Sequence, residues 1–198
     1  MASLHEQIQF EIPPDKIKEV LVSTIRLFSE SNLRAAIIVC FVGLEAAVED
    51  VCAKHLLIAK PWAFTRQVEA LVAMKILDDP TGKMLKMVAD VRNKYAHRED
   101  YFDLNDPEVK KNVEDFIASA NQIYGGDIVT VFKLVSRKVN GSNAEYSSHT
   151  WYETQVVKFL CGAAALKIHM LAAAASPQPV FRMLKSPKLI FNLGEGWS

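Results

Sequence analysis

The hexapeptide Arg92-Asn93-Lys94-Tyr95-Ala96-His97 places a guanidinium, an amide, an ammonium, a phenol and an imidazole within six residues, types that could act on a phosphodiester. Breaking RNA without a metal takes a base for the 2′-hydroxyl proton, a cation for the charge on the phosphorane, and an acid for the leaving oxygen. An imidazole titrates at about 6.5 and serves as base or acid near neutral pH. His97 is therefore the candidate proton carrier. A guanidinium stays charged and grips phosphate oxygens with a planar fork, which is the candidate role of Arg92. Asn93 would orient His97 or the phosphate, Lys94 would bind the nucleic-acid backbone, and Tyr95 would stack on a base. Such chemistry needs no metal and no cofactor.

The spacing constrains how these groups can meet. Each residue of a helix advances by about 100°. Asn93 and His97 are four apart and share a face, whereas Arg92 and His97 are five apart and diverge by about 140°. An unbroken helix cannot aim both at one phosphate. Either the helix ends near Ala96 and His97 swings round, or two copies of the chain meet across a two-fold axis and pool two Arg92 and two His97 in one cleft. The same residues also admit a structural reading. A histidine at a helix C-terminus is favoured by the macrodipole. Arg92 can neutralise Glu45, a carboxylate inside the apolar run Ala35 to Val48 that needs a partner or a shifted pKa. Tyr95 fits the inner face of its own helix, and Lys83, Lys86 and Lys94 fit a solvated face.

Other chemistries lack their marks. There is no glycine-rich phosphate loop, no Cys-x-x-Cys, no H-E-x-x-H and no G-x-S-x-G. The histidines at 5, 55, 97, 149 and 169 show no metal-ligand spacing on one helix. No helix-turn-helix with a basic recognition helix is visible, so a role in transcription would run through protein partners.

The elements that carry the motif read as helices. Pro13-Pro14 ends an N-terminal arm and opens a helix with Ile17, Val20, Leu21 and Ile25 on one stripe. The segment LRAAIIVCFVGLEAAVEDVCAKHLL is apolar nearly all round from Ala35 to Val48, which predicts a helix at the centre of a bundle. FTRQVEALVAMKILDD forms a third helix and Asp78 to Gly82 a turn. A fourth, KMLKMVADVRNKYAHRED, turns Met84, Leu85, Val88, Val91 and Tyr95 inward. A fifth runs from Pro107 to Gly125-Gly126. The Val/Ile-rich stretch after it is read as a strand or a short helix, a minor β element near 128–136. A turn at Asn140-Gly141 and a Ser/Asn-rich loop to Ser148 follow. TWYETQVVKFLCGAAALKIHMLAAAA is a sixth, close-packing helix, and Trp62 and Trp151 look like packing anchors at helix edges. The expected fold is all-α: an antiparallel helical bundle of about five to six helices over residues 1–175, with a proline-containing tail at 176–198.

Composition sets the remaining bounds. The chain has 198 residues, 50% hydrophobic and 23% charged, enough to bury a core without disulfides or metal. Lys plus Arg and Asp plus Glu are both 23, so net charge is zero and nucleic-acid binding by bulk electrostatics is excluded. Cys40, Cys52 and Cys161 sit in apolar stretches and read as reduced core thiols of a cytoplasmic protein. The N-terminus lacks the pattern of a secretion signal. Neither Ala35 to Leu44 nor Ile168 to Phe181 reaches the length of a bilayer span, so no membrane association is expected.

Arg92-Asn93 followed by His97 matches the R-x4-H pattern of the HEPN superfamily of small helical domains. LRAAIIVCFVGLEAAVEDVC, VEALVAMKILDD and VADVRNKYAHREDYFDLNDPEV together resemble the mannitol-operon repressor family, which is placed within or close to it. The likeness covers roughly residues 30–115. It implies a helical domain acting as a homodimer, with Arg92 and His97 as the catalytic pair of a metal-independent endoribonuclease of the toxin or defence type. An antitoxin or regulatory protein is the implied partner. The alternative it implies is a non-catalytic transcriptional regulator working through protein–protein contacts. Several toxins of the superfamily carry a tyrosine two residues after the histidine. Here that position is Glu99, and Tyr101 is out of register. Glu99, Asp100 and Asp103 also bring negative charge near His97, which would repel phosphate and raise the imidazole pKa.

Overall fold

The computed structural model describes residues 14–28, 33–56, 62–97, 107–133 and 154–175. Seven helices and no strand occur among them: α1 (Pro14–Phe28), α2 (Leu33–Leu56), α3 (Phe64–Ala73), α4 (Asp79–His97), α5 (Pro107–Ile123), α6 (128–133) and α7 (Gln155–Ala175). The N-terminal arm, the acidic stretch Arg98 to Asp103, the loop to Ser148, Trp151 and the tail 176–198 lie outside the described residues.

α7 is the axis of the packing. Every residue from Phe159 to Leu166 is buried, and α1, α2 and α5 all pack on it. Length and apolar character alone would let α7 cross a bilayer, a possibility that the sequence reading overlooked, but most of it is buried within the bundle. Lys167 Nζ lies over Gly43, and His55 Nε2 bonds the Ala173 carbonyl at 3.0 Å, so α2 runs in the same direction as α7. On the other side Phe116 meets Phe159 in a tilted ring contact with centroids 5.1 Å apart and Tyr124 meets His169, so α5 runs that way too. Gly162 permits this approach, because a Cβ there would stand 2.7 Å from Phe116 Cε1. α4 runs opposite to α2 and α3: Arg34 bonds Ala96 while Phe41 meets Arg92, and Glu69 pairs with Lys86 at 2.9 Å while Val72 faces Gly82.

Three expectations change. α2 is not enclosed: Phe41, Leu44, Val48 and Val51 are buried, while Val39 and Val42 are 56% and 53% exposed. An even apolar distribution around a helix cannot say which side has a neighbour, and α7 has taken the enclosed place. The β reading of 128–136 fails over its described part, which is helical through 133. Asp127 caps that helix, its Oδ2 accepting from the Thr130 backbone N–H at 2.9 Å and from the Thr130 hydroxyl at 3.0 Å. Asn121 Oδ1 accepts the Ile128 N–H at 2.9 Å, and Ile128, Val129 and Phe132 turn inward at helical spacing. The turn expected at Asp78 to Gly82 is the first turn of α4. Asp78 Oδ1 accepts the Thr81 N–H at 2.9 Å and the Asp78 carbonyl accepts the Gly82 N–H at 3.0 Å. The chain reverses earlier, through Lys75 at φ 57°, with the N–H groups of Ile76 and Leu77 returning to the Leu71 carbonyl.

Candidate functional site

The hexapeptide occupies the last turns of α4, where that helix lies against the N-terminal half of α2. Val91 and Tyr95 face the core. Arg92, one step further round, falls on the seam with α2 and is half-buried. Its guanidinium carbon sits 4.9 Å from the centroid of the Phe41 ring, a cation–π contact that binds α4 to α2. Its Nη1 donates to Asn93 Oδ1 at 2.9 Å, and its Nε is buried without a hydrogen-bond partner among the described residues. The side chain is thus drawn from the seam toward the exposed face on which Asn93 stands, which reduces the angular divergence that the helix imposes.

Glu45 does not join this group. It is half-buried one turn after Phe41, and among the described residues it forms no ion pair with Arg92. The arginine finds the ring face and a neighbouring amide oxygen instead, so the expected structural pairing of Arg92 with Glu45 is replaced by a pairing with Phe41. Tyr95 is 1% exposed, which puts its ring in the core and away from any surface a base could reach. Lys94 is half-buried and Asn93 is exposed. α4 ends at His97, next to the helix end near Ala96 that the first of the two routes to convergence calls for. The His97 imidazole lies outside what the structure describes.

A residue absent from the sequence reading completes the seam. Arg34, exposed at the start of α2, donates from Nη2 to the Ala96 carbonyl at 3.0 Å. That carbonyl belongs to the last turn of α4, where intrahelical partners run out, and a cation there also suits the helix dipole. Arg34 thereby pins the helix end that carries His97. It also places a second guanidinium on the α2–α4 seam, one turn along α4 from the residue that holds Arg92. The only hint in the sequence was a charged residue directly before the apolar run Ala35 to Leu44; nothing local relates position 34 to position 96. Chemically, two guanidiniums and an exposed amide suit an oxyanion, and His97 is the one group of the hexapeptide able to move a proton near neutral pH.

Comparison with known protein families, with curated proteins and with solved structures finds no match to this chain.

Proposed function

We propose that this chain is a HEPN-like domain and a metal-independent endoribonuclease of the toxin or defence kind, working in the cytoplasm as a homodimer. The observation that carries the reading is the guanidinium of Arg92, fixed between Phe41 and Asn93 on the helix that ends in His97. A cation held before substrate arrives spends no reorganisation on the phosphorane charge. The reading takes His97 of one copy to work with Arg92 of the other across a two-fold axis. Asn93 then orients the imidazole or the phosphate, Lys94 assists with the strand, and Arg34 holds the helix end.

The test is cleavage of single-stranded RNA in EDTA by the wild type, His97→Ala and Arg92→Lys. The wild type should cut. His97→Ala should lose activity by about 100-fold or more, the usual contribution of a general acid or base. Arg92→Lys should be impaired because an ammonium lacks the fork. No cutting by the wild type, or equal cutting by wild type and His97→Ala, sinks the reading.

A second reading rests on a different observation. Ala35, Val39, Val42 and Ala46 form a largely solvent-facing strip along α2, with Val39 and Val42 more than half exposed. Such a strip suits a regulator that acts through protein contacts rather than catalysis. That reading expects Val42→Glu to abolish association while His97→Ala leaves it intact; the opposite pattern removes it.

A further inference from the structure

At the end of α4 remote from Arg92, three helices close over polar groups that their surroundings do not satisfy. His169 of α7 is 2% exposed, and Tyr124, which follows α5, is also buried. Their rings meet edge to face with centroids 6.4 Å apart. Among the described residues neither ring nitrogen of His169 has a hydrogen-bond partner, nor has the Tyr124 hydroxyl. Thr81, wholly buried in the first turn of α4, has its hydroxyl in the same condition. The half-buried carboxylate of Asp78 accepts the Thr81 N–H through Oδ1 and acts electrostatically on both rings.

Folded proteins leave very few buried polar atoms unpaired. Here Thr81 Oγ1 stands at the head of α4, on the residue whose N–H bonds Asp78, while Tyr124 Oη and both nitrogens of His169 belong to two rings in edge-to-face contact. A neutral imidazole offers one donor and one acceptor, each hydroxyl offers both, and a carboxylate only accepts. The species that completes such a set must donate and accept at once, carry no charge into an apolar interior, and be small. Water meets all of these conditions, and buried water is bound by two to four polar partners of this kind.

We propose that Asp78, Thr81, Tyr124 and His169 form an internal hydration site in which ordered water ties the head of α4 to α5 and α7. The half-buried side of Asp78 is the route of exchange with solvent. The site anchors the α3–α4 reversal, whose left-handed residue Lys75 precedes Asp78 by a few positions.

Water-to-protein cross-relaxation in isotope-labelled protein near neutral pH tests this directly. Long-lived water should give cross-peaks to the ring protons of both His169 and Tyr124, and the His169 ring nitrogens should report a single neutral tautomer. Tyr124→Phe removes one partner with little change of volume and should reduce the His169 cross-peaks several-fold. Asp78→Ser keeps a capping oxygen for Thr81 but removes the acceptor charge, and should speed water exchange several-fold. The proposal is overturned if the wild type gives no water cross-peak at either ring, a result that depends on no variant folding. Cross-peaks unchanged in Tyr124→Phe overturn it too, by placing the water elsewhere.

Discussion

Acidification should destabilise this protein through His169, and the size of the effect follows from its surroundings. Burial pushes the imidazole pKa down from 6.5 to about 4, with the Asp78 charge offsetting part of that fall. In the unfolded chain the ring takes up a proton as pH drops through about 6.5. In the folded chain it resists until about 4. Over that interval the unfolded state binds more protons, so stability is full above the upper limit, declines as pH falls, and levels off below the lower one. The linkage gives a loss of about 2 kcal/mol by pH 5 and about 3 kcal/mol once both states are protonated. Urea unfolding at pH 7, 6 and 5 reads this out. With a slope of about 2 kcal/mol/M the midpoint should drop by about 1 M between pH 7 and pH 5. Carboxylates and the other histidines contribute their own pH dependence, so the decisive quantity is the difference between the wild type and His169→Phe. The variant should lack this part of the decline. Parallel loss of stability in the two proteins would show that His169 is not held neutral by burial, and would refute the reasoning.

Two further predictions concern packing and reactivity. A Cβ on Gly82 would stand 2.5 Å from Val72 Cγ2, so Gly82→Ala should cost about 1–3 kcal/mol of unfolding free energy despite alanine's better helix propensity. Adding Val72→Ala should recover most of that loss, and strictly additive losses in denaturant unfolding would contradict the contact. Burial raises the Cys40 thiol to about 12 and the Cys52 thiol to about 11, with a further push on Cys52 from Glu49, and raises Cys161 as well. Since the thiolate is the reactive form, an aromatic disulfide reagent at pH 8 should leave all three unmodified in the folded protein and label all three in urea. Rapid labelling of any one in the native state would count against its placement.

Much of the fold was legible because a helix is a local object. Its hydrogen bonds link residues four apart, so the apolar period alone marks α1, α4 and α5, and the inward set Met84, Leu85, Val88, Val91 and Tyr95 is buried as the period requires. The caps were written locally too. Asp78 before Pro80 and Asp127 before Thr130 are ordinary N-cap signals, and weighing them above the turn residues and the Val/Ile content would have placed the start of α4 and the helical state of 128–133.

The site was only half legible for the opposite reason. The sequence supplied Arg92, Asn93 and His97 and the angle between them, because these lie on one helix. It did not supply Arg34 on the Ala96 carbonyl, Phe41 rather than Glu45 under Arg92, the open side of α2, or the seclusion of His169. Each of these depends on how one helix lies beside another. The period of a helix says which residues share a face and carries no information about the neighbour that face will meet; lateral packing of the whole chain decides that.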